Sequence, residues 1–271
     1  MQLRNTIYQS EDFNSSREKV VIDGNDVFYK IEGSRISVAS SLIPIEQYTN
    51  SLFDYFFKTY PQAKIIKFER AYQTQAKIPN KMIRLKHFDN NFRLELPNSI
   101  EEYKSSLGKK TRMHLGQYQR HIEKELYKSG GGYHMVGFNE KSKSIFDAIV
   151  QLNRERCHSK GFEAGSGNPK LFDSINKYGV MNYLTIGNKI VAGTIGSVYN
   201  NQFCLHVIAH SNEYGKMNPG NVILYKTIEN AIAQKETARK LVFLIKGKSC
   251  FLPRVRFMKK TLILLSSLDF K

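Results

Sequence analysis

The sequence predicts a mixed α/β (α+β) chain, in which a small α/β domain precedes a larger one built on a mixed sheet flanked by helices. Three observations predict it. Short apolar runs with period-two alternation recur along the chain, several bounded by Gly-Asn, Gly-Ser or Asn-Asn pairs. Amphipathic stretches with apolar residues at helical spacing lie between them. Apolar residues make up 41% of the 271 positions, enough to bury the core of one large domain or two modest ones.

Residues 1–96 read as strands around one helix. KVVID (19–23), DVFYKIEG (26–33) and RISVAS (35–40) are short strands punctuated by Gly24-Asn25 and Gly33-Ser34, the pattern of a meander. A helix follows near Pro44 to Tyr60, with Ile45, Tyr48, Leu52 and Phe56 at helical spacing. AKIIKFER (63–70) returns to strand, and residues 71–80 are polar and loop-like. MIRLKHF (82–88) and NFRLEL (91–96) read as two short strands broken at Asp89-Asn90.

A basic helical connector spans 97–132. Ser99 and Glu102 form an S-x-x-E capping box that opens a short helix, and Gly108 ends it. A second helix runs from about Lys109 to Tyr127 and buries Leu115, Tyr118, Ile122 and Leu126. Lys109, Lys110, Arg112, Arg120, Lys124 and Lys128 occupy its other faces. Two readings of this helix stand: an anion-binding face, or a solvated linker whose charge Glu123 and Glu125 dilute. Gly130-Gly131-Gly132 then releases the chain from helix into strand.

The order over 133–271 is more regular. YHMVGF (133–138) is a strand, and KSIFDAIVQLNRERCHSK (143–160) is a helix with Ile145, Ile149 and Leu152 inward. The glycine-rich loop GFEAGSGNP and a second helix, KLFDSINKYG, come next. VMNYLTIG, NKIVAGTIGSVYN and QFCLHVIAH form a three-stranded meander with tight turns at Gly187-Asn188 and Asn200-Asn201. The helix in GKMNPGNVILYKTIENAIA follows, then KLVFLI (240–245) as a strand. The end reads as a broken helix, SCFLPRVRFMKK, and a last strand, TLILLSS.

Forty-one Lys and Arg face 24 Asp and Glu, a formal charge of +17. Such a field favours an anionic partner: nucleic acid, an acidic membrane surface, a phosphorylated cofactor or an anionic glycan. The charges are spread along the chain, so a generally basic surface fits as well. Cys157, Cys204 and Cys250 lie far apart with no CxxC spacing, which argues against a disulfide framework and against a metal site. The first residues lack the apolar core of a signal peptide, and no run approaches the ~18 apolar residues of a spanning helix. The expected location is therefore the cytoplasm, with any membrane contact made peripherally at the inner face.

The stretch from Gly215 to Ala233 carries the most chemistry. Asn218 suits a helix N-cap and Pro219 the first helical position. Leu224, Ile228, Ala231 and Ile232 form the apolar stripe. The first N–H groups of a helix lack internal partners, and the macrodipole adds positive potential there. Gly220 carries no side chain, so an anion such as a pyrophosphate can approach the amides of Gly220 and Asn221. An ordinary helix start would use the same residues.

The runs LPNSIEEYKSSLGKKTRMHLGQYQRHIEKE, NRERCHSKGF and GVMNYLTIGNKIVAGTIGSVYNNQFCLHVIAHSNEYGKMNPGNVILYKTIENAI resemble, in order and spacing, the CelD/BcsL-like acetyltransferase family. That family is a branch of the GNAT superfamily associated with cellulose and exopolysaccharide biosynthesis, and FemAB peptidyltransferases are more distant relatives. The likeness covers about residues 93–250. It implies a GNAT-like acyltransferase domain at 133–271 and a degenerate GNAT-like domain at 1–96. It also implies acetyl-CoA or another acyl-CoA as co-substrate, no metal, and an amino sugar, nucleotide sugar or other sugar precursor as acceptor.

The resemblance assigns the cofactor anchor to Asn218, Pro219, Gly220 and Asn221, and polarisation of the thioester to main-chain N–H groups of the middle meander strands. Within that frame His210, at the end of the strand leading to the anchor, is the first candidate base, with an ordinary imidazole pKa near ~6.5. His206 lies on the same strand face about 13 Å away and is the second. Glu163 and Glu213 are further candidate bases, and Tyr214 can supply a phenolic proton. Lys109, Lys110 and Arg112 suit an anionic acceptor. Each of these side chains also has a purely structural reading, and Cys157 reads as a core-facing helix residue. The family's acidic residue and Tyr-Lys pair have no counterpart, because Val242, Phe251 and Leu252 stand there. That departure leaves open a FemAB-like transferase using aminoacyl-tRNA, or a diverged protein that only binds.

Overall fold

The computed structural model describes residues 14, 16–39, 50–69, 85–137, 142–161, 171–173, 177–199, 202–234, 240–243 and 258–265. The chain divides into two compact units. One is Met1–Asn91 with Ile245–Gly247 and Lys259–Lys271, and the other is Phe92–Leu244 with Lys248–Met258. Each pairs a sheet with one or more helices, the mixed α/β build that the sequence predicts.

The first unit holds β1 (Glu18–Ile22), β2 (Asn25–Glu32), β3 (Arg35–Ala39), α1 (Asn50–Thr59) and β4 (Ile65–Glu69). The order is β1-β2-β3-β4. The first three strands form an antiparallel meander, and β4 lies parallel to β3, as a helical crossover allows. Val27, Tyr29, Ile36, Val38, Ile66 and Phe68 meet Leu52 and Phe56 of α1 in the core. The ring of Tyr29 sits edge-on to Phe56 at 4.9 Å, a favoured aromatic geometry. The expected helix start at Pro44, with Ile45 and Tyr48, lies outside the described residues.

Two boundaries differ from expectation. The chain passes through Asp89-Asn90 as one strand, β5 (Leu85–Glu95), rather than turning there. Asp-Asn carries no glycine to take up a hairpin turn, and sheet pairing overrides the local turn preference. The last strand, here β11 (Met258–Leu265), opens at Met258 and so takes in residues expected to end a broken helix. The rest of that expected helix lies outside the described residues.

The second unit contains α2 (Ile100–Ser106), α3 (Lys109–Ser129), β6 (Gly131–Gly137), α4 (Lys143–His158), β7 (Gly179–Ile186), β8 (Lys189–Tyr199), β9 (Gln202–His210), α5 (Pro219–Ala233) and β10 (Lys240–Phe243). Its strands run in the order β5-β10-β9-β8-β7-β6. β6 to β9 are antiparallel neighbours, β10 joins β9 in parallel, and β5 joins β10 antiparallel.

Local chemistry explains these boundaries. Ser99 Oγ accepts from the Glu102 N–H at 3.0 Å, opening α2. The Glu102 carboxylate closes the box one residue early, on the Asn98 N–H at 2.8 Å. Gly108 does more than end α2, since it is the N-cap of α3. Arg112 ties the two helices by donating to the carbonyls of Ser105 (3.0 Å) and Leu107 (2.6 Å).

Successive residues of β8 show how the layers stack, because neighbours on a strand face opposite sides. Gly193 faces α4, where a Cβ would come within 2.5 Å of Ile149. Thr194 faces α5, with its hydroxyl 2.9 Å from that of Thr227. The Thr227 hydroxyl donates onward to the Ile223 carbonyl (2.8 Å). Asn230 donates to Asn182 of β7 (2.7 Å), which reaches Thr194 at 3.5 Å. Asn182, Thr194 and Thr227 are buried, so this directional chain fixes α5 to the sheet. On the same face Ile122 of α3 is fully buried against Leu184, Val191, Val222 and Ile223, with Leu115, Tyr118 and Leu126 beside it. Among the described residues no helix is long and apolar enough to cross a membrane.

Candidate functional site

β9, α5 and β10 make one parallel crossover, and the turn that starts α5 sits at the C-terminal end of β9. Open α/β sheets place ligands at that end of parallel strands. The described pairing of β9 with β10 covers Gln202–Leu205 against Lys240–Phe243. Beyond it, β9 continues from His206 to His210. His206 is the extra residue of a β-bulge, because the pairing with β8 steps from Ile195–Val207 to Gly196–Leu205. Bulges re-aim side chains and gather beside active sites.

The start of α5 departs from a simple side-chain cap. Asn218 is left-handed (φ 48°, ψ 52°) and makes no side-chain cap hydrogen bond. Asparagine tolerates this region better than most L-residues. Its carbonyl instead accepts the N–H groups of Asn221 (3.1 Å) and Val222 (3.4 Å). The Asn221 amide is thus already engaged within the turn, and Pro219 has no N–H. Gly220 supplies the first-turn donor, with the helix dipole behind it. Lys216 stands exposed in the 3-10 turn just before.

The missing side chain at Gly220 serves a neighbour. A Cβ there would lie 2.6 Å from Cδ2 of His210. The His210 ring therefore packs directly on the first turn of α5. Its Nδ1–H donates to the Ser211 carbonyl at 3.2 Å, which leaves Nε2 as the lone-pair nitrogen of the neutral ring. Burial pushes the His210 pKa below its ordinary value. The hydrogen bond to Ser211 opposes this, and the charges of Arg156 and Lys160 add to it.

A pKa lowered by folding stabilises the fold above the unfolded value near ~6.5, and that stability is lost as pH falls through the folded value. The urea midpoint of the wild type is expected to fall between roughly pH 7.5 and pH 5 more steeply than that of His210→Gln. Equal slopes would remove His210 as a source of the pH dependence.

His206 is half-buried, and its Nε2 lies 2.8 Å from the buried Ser197 hydroxyl, a partner that the sequence reading missed. Glu213 forms an exposed ion pair with Lys189 (2.6 Å). Tyr214 packs half-buried against the α3–α5 core. Lys109 and Lys110 are exposed at the start of α3, and Arg112 is engaged with α2. Glu163, Phe251 and Leu252 lie outside the described residues. Cys157 is partly buried, its Sγ 3.9 Å from Asn153 Oδ1.

Two further side chains bear on the site. Among the described residues Asn221 Oδ1 is buried without a hydrogen-bond partner, and so is Oη of Tyr225, one helical turn on along the same face. Burial pushes the Tyr225 phenol up to about 12, and its ring stacks on Tyr103 of α2 at 6.1 Å. The i, i+4 pairing of Asn221 with Tyr225 was the available signal in the sequence. Unmet buried polar atoms beside a helix N-terminus fit a ligand carrying phosphate together with amide or hydroxyl groups. Coenzyme A carries all three.

Residues 144–248 match the family model described as an acetyltransferase (GNAT) domain. That segment is similar to a GNAT acetyltransferase domain. The match takes in α4, the β7–β9 meander, α5 and β10, and so the whole crossover. No curated protein matches the chain. Among solved structures, L-PGS from Bacillus licheniformis is similar over 96% of this chain and 86% of its own, at 14% identity and a TM-score of 0.60. FemX is similar over 98% of both chains, at 10% identity and 0.60. The C-terminal domain of a putative lysylphosphatidylglycerol synthetase from Agrobacterium fabrum covers 96% of this chain and 88% of its own, at 10% identity and 0.58. At these identities the likeness is one of fold alone.

Proposed function

We propose that this protein is a GNAT-type, acyl-CoA-dependent N- or O-acyltransferase of the CelD/BcsL-like kind. It works in the cytoplasm on an amino sugar or another sugar precursor of surface polysaccharide. One observation carries the reading: a parallel β9–α5–β10 crossover presents a helix N-terminus directly after a bulged strand, inside the matched GNAT segment.

In this reading Gly220 N–H, the α5 dipole and Lys216 hold the pyrophosphate, while Asn221 and Tyr225 meet the polar groups next to it. Acyl-CoA supplies an activated thioester. The thioester lies at the far end of the pantetheine arm from the pyrophosphate, and this divides the two histidines by role. His210, packed on Gly220, braces the phosphate end. His206, about 13 Å back along β9, is placed to take a proton from the acceptor amine or hydroxyl, with Ser197 orienting it. Lys109 and Lys110 stand as contacts for an anionic acceptor.

Calorimetric titration of acetyl-CoA, coenzyme A and dephospho-coenzyme A into the full chain tests the site. Micromolar binding is expected. Asn221→Asp should weaken it on the order of ten-fold, because a carboxylate in the first turn favours the helix but repels a phosphate. His206→Gln should bind normally. No binding by the folded wild type would overturn the acyl-CoA reading.

A further inference from the structure

We propose that the solvent face of α3 docks the protein onto an anionic phospholipid surface. The inference is independent of acyl transfer, because it rests on which way α3 turns its side chains.

Ile122 and its neighbours fix the buried side of α3. At about 100° per residue, Lys109, Met113, Arg120, Lys124 and Tyr127 then fall within about 60° of arc on the opposite side. Lys110, Gln117 and Lys128 extend that face to about 100°. It holds five cations and no carboxylate. Glu123 and Glu125 lie on its two flanks, and the Glu123 charge acts on Tyr133, away from the face. From Lys109 to Lys128 the cations run about 28 Å along the helix.

Two apolar side chains stand in this basic row without cover. Tyr127 is 93% exposed and Met113 60% exposed, and on a soluble surface both are costly to leave in water. A flat anionic bilayer accommodates all of these groups at once. Lysine and arginine stems snorkel while their heads meet phosphates, tyrosine suits the headgroup boundary, and methionine enters the acyl edge. A nucleic acid explains less of the face, since the aliphatic Met113 can neither stack on a base nor bind a phosphate. The charge of the whole chain, +17, draws it to the same surface.

Co-sedimentation of the full chain with vesicles tests this, using equal parts phosphatidylglycerol and phosphatidylcholine against phosphatidylcholine alone. Binding is expected to the acidic vesicles only, and to weaken with added salt. Each cation near an acidic bilayer contributes roughly five-fold in partitioning, so Arg120→Ala/Lys124→Ala/Lys128→Ala should lose on the order of a hundred-fold. Met113→Ser/Tyr127→Ser should lose several-fold and leave the salt dependence unchanged. All five positions are exposed, so both variants should keep the wild-type circular dichroism and melting point. The proposal is overturned if the wild type ignores acidic vesicles or if the folded triple variant binds them as well as wild type. It is equally overturned if the chain binds single-stranded RNA through these residues and leaves the vesicles unbound.

Discussion

Gly131→Ala is expected to destabilise the second unit by about 3–5 kcal/mol, the largest loss from any one of the three consecutive glycines. Gly131 opens β6 with φ at 111°, where L-residues are strained. A Cβ would also sit 2.3 Å from the carbonyl oxygen of Thr185 and 2.8 Å from its carbon. Both obstacles are backbone in a paired strand, so no rotamer change relieves them. Gly130 has φ 73° and ψ −179°, a combination close to glycine-only, yet open space surrounds its Cβ position. Gly130→Ala should therefore cost about 1–3 kcal/mol, from backbone strain alone. Gly132 has neither problem, and its substitution should fall within about 0.5 kcal/mol. Urea unfolding of the three variants gives the ranking. Equal losses at Gly130 and Gly131 would show that the β6–β7 register yields to admit a side chain.

The glycine run also shows what the sequence could and could not reveal. That helix must end and strand begin at 130–132 was legible, because three glycines are poor helix formers and suit a left-handed exit. Which glycine is indispensable was not, because Thr185 lies 54 positions away. The β7–β9 meander was legible for the same local reasons: alternating apolar residues and a Gly-Asn turn. The bulge at His206 was hidden. It is set across the sheet, where Gly196 leaves room for the Phe203 ring that a Cβ would meet at 2.5 Å. Gly193 and Gly196 inside a strand rich in β-branched residues were the available hint, since glycine within a strand marks a close approach. Asn218 was legible as the N-cap of α5, but its left-handed backbone was not, because asparagine serves equally as a side-chain cap and as a left-handed residue. The acid-free face of α3 was within reach of the sequence, because the stripe of Leu115, Tyr118, Ile122 and Leu126 sets the same helix rotation that the burial of Ile122 shows. Counted along the sequence, Glu123 and Glu125 dilute the charge; counted around the axis, they stand outside the face.

Gly220→Ala joins stability to function. Its Cβ would lie 2.6 Å from Cδ2 and 3.3 Å from Cγ of His210, on a ring held by the Ser211 carbonyl and half-buried at the end of β9. The ring must move or the first turn of α5 must lift. Overpacking of this kind costs about 1–3 kcal/mol. A displacement of even one ångström at the turn should weaken coenzyme A binding on the order of ten- to a hundred-fold. A double-mutant cycle identifies the cause. With His210→Ala in place the collision is gone, so adding Gly220→Ala should cost about 1–2 kcal/mol less than it does in wild type. A loss independent of residue 210 would place the fault in the backbone of the turn. Binding separates the two roles of the imidazole in the same cycle. If the double variant recovers coenzyme A affinity, His210 matters only as a body that the turn must accommodate. If stability recovers and affinity does not, the imidazole itself braces the phosphate end of the site, the role that its packing on Gly220 gives it.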